Sequence, residues 1–303
     1  MSSFGAEPDA LLITARAIAE RGVLPPEPIT AAARDAAPLA ASIPPARVQM
    51  EIEGVILGRH LELGLQWLHD ARVLGVILPE LEATVDFSQE AGRRHKDVWE
   101  HTKQVVRQSV PKPAVRWAAL LHDIGKVPTR VMLDDGRVTF HRHAEVGARM
   151  WDTVGRRLGF DKPARQKIRF LILHHLRANA YEPAWTDAAV RRFDIEMGDH
   201  LEDLLDLSRA DVTSRRPGRR QEAVENIHAL KQRILAIREL DARVPPLPPG
   251  LGNAIMTSFA LPPSKRVGEI RKLCQDAVER GDLEERREPE YYVTYLKGLG
   301  VTG

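Results

Sequence analysis

Residues 117–126 read WAALLHDIGK, and this stretch decides the architecture. The run Trp117-Ala118-Ala119-Leu120-Leu121 has the composition of a buried helix, so His122 and Asp123 follow directly from a hydrophobic interior. A carboxylate there needs a cation or several hydrogen bonds, because an unpaired buried charge is strongly unfavourable. Gly125 offers a helix C-terminus, and Lys126 leaves it carrying positive charge. A bare His-Asp dipeptide would read equally well as a hydrogen bond at a helix end; the Ile-Gly-Lys that follows favours a metal-binding pair. Seven of the eleven histidines fall between His95 and His175, around this doublet.

On the N-terminal side, Asp97 and His101 stand four apart in HKDVWEHTKQVV. On a helix that spacing stacks both side chains on one face, where a carboxylate and an imidazole can meet one ion. His95 lies off that face and reads as a neighbour or substrate contact. On the C-terminal side, His141 and His143 flank Arg142, and an extended chain would present only one of them to a site. His174 and His175 end the apolar run FLILHH. Adjacent helical positions diverge by about 100°, so either both address opposite sides of a metal pair, or one is a ligand and the other its neighbour. Arg177 lies just beyond, as a phosphate contact or an ordinary surface arginine.

Elsewhere, apolar residues recur three and four apart in ALLITARAIAERGVL, in the long segment from Arg47 to Leu78, in HAEVGARMWDTVGRRLGF and in EAVENIHALKQRILAIREL. Strand patterns are nearly absent; VMLDDGRVTF alone predicts a short hairpin around Asp135-Gly136. The expected fold is all-α, with a helical neck-like part at 1–87, a histidine-rich middle at 88–220 and a C-terminal helical region at 221–303. Lys+Arg of 44 against Asp+Glu of 42 leaves a net charge of +2, so no strong global field marks a nucleic-acid binder. The basic excess is local: Arg215, Arg216, Arg219 and Arg220 form a knot that reads as a solvated loop or as a phosphate contact. The single cysteine, Cys274, excludes an intramolecular disulfide framework and suits a reducing compartment. With no leader-like start and no apolar run of about twenty residues, the cytoplasm is the expected location, without a membrane partner.

The ordered series His101, His122-Asp123, His143, His174-His175 and Asp211 resembles the ligand series of the HD superfamily of metal-dependent phosphohydrolases. In that resemblance His143 opens an HxxxGA pattern that supplies a ligand of a second metal, and Asp211 in LSRADVTSR closes the series. The wider sequence, over about residues 9–285, is similar to the neck-plus-HD portion of bacterial tRNA nucleotidyltransferases (CCA-adding) and poly(A) polymerase relatives. The carriers are AAPLAASIPPARVQMEIEGVIL, HKDVWEHTKQVV, WAALLHDIGK, FHRHAEVGA, HHLR, RADVTSR and the tail LPPSKRVGEIRKLCQDAVERGDL. Those enzymes transfer nucleotides with a head carrying a DxD carboxylate pair. This sequence has no DxD, begins where that head would end and keeps Arg16 but few of the neighbouring arginines, so CCA addition is not expected of it.

The resemblance implies an HD helical fold and hydrolysis of phosphate esters, as a phosphatase or 2',3'-cyclic phosphodiesterase on nucleotides or RNA-terminal phosphates. Asp97, His101, His122, Asp123, His143, His174, His175 and Asp211 are the expected metal ligands; His101, His122, Asp123 and Asp211 alone would hold one ion. Nitrogen and oxygen ligands without thiolate suit Mn, Ni, Fe, Co, Zn or Mg, as one or two divalent ions. Such ions lower the pKa of bound water and neutralise phosphoryl oxygens. Asp123 is the expected bridge that orients the nucleophile, and Lys126 is its catalytic companion. Lys126, Arg130, Arg177 and Arg215 would contact the phosphate of a nucleotide, a tRNA or another RNA. A non-enzymatic RNA- or protein-binding partner of a separate nucleotidyltransferase is the alternative. HHLRANAY lacks the GYP sequence after its histidines, which speaks against cyclic-di-GMP hydrolysis.

Overall fold

A computed structural model describes residues 3–87, 97–213, 218–243 and 245–301. Among them the longer helices are α1 (Ala10–Arg21), α2 (Glu27–Ala36), α3 (Pro45–Leu57), α4 (Leu61–Asp70), α5 (Val98–Gln108), α6 (Pro113–Leu121), α7 (His143–Arg157), α8 (Lys162–His174), α9 (Asp187–Met197), α10 (Leu201–Asp211), α11 (Arg219–Arg243), α12 (Leu251–Phe259), α13 (Lys265–Arg280) and α14 (Pro289–Gly298). The fold is all-α, and among the described residues the one hairpin is β1 (Val131–Met132) with β2 (Val138–Thr139), in antiparallel register Val131 to Thr139. Its turn uses Gly136 at φ +79°, a backbone conformation that glycine tolerates without strain.

The helices begin where local chemistry satisfies their free amides. Asp161 accepts a hydrogen bond from Ala164 N at 2.8 Å ahead of α8, and Thr186 accepts one from Ala189 N at 3.2 Å ahead of α9. Prolines within the first turn open α2, α3, α6, α8 and α14, where a missing N–H has no intrahelical partner to lose.

The chain divides into two compact units, 1–180 with 202–224, and 181–201 with 225–303. In the first, both the neck-like segment and most of the histidine-rich segment share one interior. Trp67, Trp99, Trp117 and Trp151 are fully buried there. Trp117 Nε1 donates to Glu53 on α3 at 3.1 Å, and Trp99 Nε1 donates to Gln66 on α4 at 3.2 Å. The buried Arg116 donates to the carbonyls of Ile56 and Ser109, tying α6 to the end of α3. Behind the histidines, Phe160 meets Trp117 and Trp151 edge-on, with both centroid distances 5.1 Å.

The second unit has its own core of Leu247, Leu251, Ile255, Ile270, Cys274, Ala277, Tyr292 and Leu296. Cys274 is fully buried, and burial pushes its thiol up to about 11. The Tyr292 hydroxyl donates to Glu284 O at 2.9 Å, so its polar end is satisfied inside that core. No described helix is long and apolar enough to cross a membrane.

Candidate metal centre

Three apolar stripes lead into the site. On α6 the buried face runs Val115, Ala118, Ala119 and ends at His122; on α8 it runs Ile168, Leu171, Ile172 and ends at His175; on α10 it runs Leu204, Leu207, Ser208 and ends at Asp211. Each stripe carries a polar group inward at a helix C-terminus, and α5 and α7 bring His101 and His143 to the same place. The backbone approach is close. A Cβ on Gly125 would lie 2.1 Å from His143 O and 2.6 Å from Gly147 N, so only glycine lets the His122-Asp123 turn meet the first turn of α7. Gly125 has φ −67°, in the right-handed region, so this close approach explains it better than the helix-ending role expected from the sequence.

Among the described residues two groups of ligand atoms result: His101, His122 and Asp211, and Asp123, His143 and His175. In the first, His101 Nε2 lies 3.2 Å from His122 Nε2 and 3.0 Å from Asp211 Oδ1. In the second, His143 Nε2 lies 3.3 Å from His175 Nε2 and 3.5 Å from Asp123 Oδ1. Asp123 reaches both groups, because its Oδ2 is 3.2 Å from His122 Nε2 and 3.5 Å from His101 Nε2. Lys126 Nζ donates to the same Oδ2 at 2.6 Å.

All four imidazoles are oriented through their other nitrogen. Nδ1 of His122 donates to Ala119 O at 2.8 Å, Nδ1 of His143 to Phe140 O at 3.0 Å, and Nδ1 of His175 to Ile172 O at 2.7 Å. A carbonyl can only accept, so Nδ1 carries a proton in all three; Nε2 of His143 and His175 can then offer a lone pair to the site, and Nε2 of His122 can do so once its own proton has left. His101 Nδ1 is 3.0 Å from Thr213 Oγ1. Burial pushes His175 down to about 4 and also lowers His143, so both are neutral at physiological pH. Burial lowers His122 too, but Asp123 and Asp211 outweigh it and raise it to about 10. Burial opposes ionisation of Asp123 and Asp211; the facing His122 and His101, with Lys126 at Asp123, nonetheless hold both carboxyls well below the usual range.

These residues fit a divalent ion. The Asp123 Oδ1 atom is buried with no hydrogen-bond donor, a costly arrangement that a cation would relieve. Facing Nε2 atoms without thiolate are the donor set of borderline divalent metals.

Some expected residues lie elsewhere. Asp97 is not on α5 but caps it, in an extended conformation, with Oδ1 accepting from Trp99 N at 2.7 Å and Glu100 N at 3.2 Å. The four-residue spacing to His101 therefore reflects a helix cap rather than two ligands on one face. His174 belongs to neither group, its ring centroid lying 4.3 Å from that of Phe170, whereas its neighbour His175 is one of the clustered ligands. Arg177 follows in the turn after α8, and His141 is exposed. Arg130 is exposed, with its guanidinium over the Phe87 ring. His95, Arg215 and Arg216 lie outside the described residues. Sequence reasoning missed the oriented carbonyls and Thr213. The three- and four-residue stripes were the available signal for His175 over His174.

Residues 86–216 match the HD domain family, and this match spans all six clustered ligands. The chain carries an HD domain. Ahead of the HD domain, residues 26–84 match the family described as the probable RNA and SrmB-binding site of polymerase A. The chain is 30% identical over 254 residues to the A-adding tRNA nucleotidyltransferase of Deinococcus radiodurans, a match covering 82% of this chain and 57% of that protein. It is 31% identical over 259 residues to the CC-adding tRNA nucleotidyltransferase of Thermus thermophilus, covering 83% and 57%. The Multifunctional CCA protein of Tolumonas auensis is 29% identical over 180 residues, covering 56% and 43%. The chain thus matches only about half the length of these relatives, in the part that holds the neck and the HD domain.

Proposed function

We propose that the HD domain is a metal-dependent phosphohydrolase acting on nucleotides or RNA-terminal phosphates, as a phosphatase, a 2',3'-cyclic phosphodiesterase or both. The observation that carries this reading is the pair of His/Asp groups joined through the buried Asp123. His101, His122 and Asp211 would hold one divalent ion and His143 with His175 a second, with Asp123 shared between them. Bound there, such ions acidify water and offset the charge of phosphoryl oxygens. Asp123 would fix the nucleophile's position between the two groups. Lys126, held against Asp123 and only 13% exposed, would place a positive charge beside the phosphate without exchanging a proton. Neutral His143 and His175 are ready to bind metal, whereas metal binding at His122 competes with its proton.

The test is to load the protein with Mn, Ni or Mg and offer phosphomonoesters, 2',3'-cyclic nucleotides and dNTPs. Turnover that stops on chelation is expected. Asp123→Ala should abolish metal binding and turnover together while circular dichroism keeps its helical form. Stoichiometric metal in that variant would refute the assignment. A second reading, an RNA-binding partner of a separate nucleotidyltransferase, rests on the match over residues 26–84 and on the tRNA-directed relatives. Metal-loaded protein that is inert on the whole panel yet binds tRNA would favour it.

A further inference from the structure

Beside the candidate metal centre a cation, two aromatic rings and a second cation follow one another. Lys126 Nζ lies 5.8 Å from the Phe140 ring centroid, Phe140 and Phe87 stand 6.2 Å apart with their planes tilted by 52°, and the Arg130 guanidinium lies 5.2 Å from the Phe87 centroid. Both rings are only half-buried. Phe140 cannot drift from the centre, because its carbonyl accepts the Nδ1 proton of His143 at 3.0 Å and the Lys126 beneath its ring is bonded to Asp123 at 2.6 Å. The hairpin from which Phe140 emerges is a poor core element: Val131 and Met132 are 52% and 60% exposed. Its exposed apolar residues therefore do little to stabilise the interior, while the ring that follows it is held beside the candidate metal centre.

We infer that Phe140 and Phe87 form a stacking shelf that binds the base of a nucleotide whose phosphate is held at this centre, so that base stacking, and not phosphate contacts alone, selects the substrate. The inference rests on the phosphohydrolase reading above. A phosphate beside Lys126 and Asp123 is one ribose away from its base, a span of the same order as the separation of Lys126 from Phe140. Aromatic faces accept any base, so the shelf selects for the presence of a base and not for its identity. The Arg130 guanidinium over the Phe87 ring adds a cation–π contact to the shelf.

The experiment compares 2',3'-cyclic AMP with glycerol 1,2-cyclic phosphate, which carries the same cyclic ester and no base, on the full metal-loaded chain. Wild type should prefer the nucleotide. Phe140→Leu should cut the ratio of the two kcat/KM values roughly tenfold, through KM for the nucleotide, and Phe140→Trp should restore it. Equal kcat/KM for both esters in wild type would overturn the shelf while leaving the hydrolase standing. So would a Phe140→Leu variant that loses kcat on both esters alike, which would mark Phe140 as a support for His143. If wild type hydrolyses neither, the phosphohydrolase reading fails, and the shelf is judged by calorimetric titration with AMP. Weaker AMP binding by Phe140→Leu supports the shelf, and unchanged binding refutes it.

Discussion

The first unit's candidate metal centre and the second unit's arginine cluster both take charge out of water, and they do it in opposite ways. Arg191 is 7% exposed and its charge is paired: it meets both carboxylate oxygens of Asp241, at 2.6 and 2.8 Å, and lies 2.8 Å from Glu285 Oε2, an oxygen that is buried without a hydrogen bond, while Arg286 donates to Asp241 at 2.9 Å. Planar donors meet planar acceptors and each charge cancels another. Around Asp123 the pairing is unfinished. Imidazole nitrogens face each other at 3.2 and 3.3 Å, and a buried carboxylate oxygen has no donor. The first arrangement holds a fold together, whereas the second keeps polar groups in a geometry that the fold alone would not choose.

The largest effect should come from Gly125→Ala, which puts a methyl group 2.1 Å from a backbone oxygen that cannot move without displacing His143. Destabilisation by about 3 kcal/mol, with metal binding lost, is expected in urea titration with metal analysis. Near-wild-type stability would show that the two turns separate easily. The contrast itself is broken or sharpened by a matched pair of variants. Arg191→Leu should destabilise the protein by about 3 kcal/mol, because Asp241 and Glu285 lose their partner. His175→Leu should leave the metal-free protein within about 1 kcal/mol of wild type, since its neutral imidazole faces another imidazole, yet abolish metal binding with His143. Equal losses would erase the distinction.

A smaller effect is expected at Asp203, bonded to Lys112 at 2.9 Å and Lys167 at 2.6 Å. Burial alone would raise this carboxyl, but the two lysines hold it below its ordinary value. Its contribution to stability is therefore present above the unfolded-state pKa of about 3.9 and fades as the pH falls through the lower folded value. Asp203→Asn should flatten that part of the acid unfolding curve, and an unchanged acid limb would count against the pairing. The smallest effect belongs to His141→Ala. This exposed side chain should matter little to metal content or melting temperature, and a loss equal to that of His143→Ala would reverse their roles.

Most of the fold was legible because amphipathic periodicity is a local property, repeated in every long segment and interrupted by proline and Asp-Gly at the turns. The centre was legible in composition and order rather than in detail. Asp97 and His101 have the spacing of two side chains on one face, but a cap sits outside the helix it starts, and that boundary is not visible in spacing. His174 and His175 differ only in which one continues the row of Ile168, Leu171 and Ile172. Gly125 is needed because the first turn of α7, the next long helix, folds back against it, a tertiary requirement with no local trace. The carbonyls that orient His122, His143 and His175 each lie three residues upstream, a regularity that appears only once the backbone is folded.

The positions of the clustered ligands have a consequence in polymer terms. His101, His122, His143, His175 and Asp211 sit at or near the ends of five helices whose sequence spans most of the histidine-rich segment. An ion gripping them would act as a cross-link that closes several long chain loops at one point, and because that site exists only in the folded chain, its binding free energy would add to the free energy of folding. In hydrogen exchange, amides on α5 and α10, distant in sequence, would then gain protection together when metal is added, as one knot tightening.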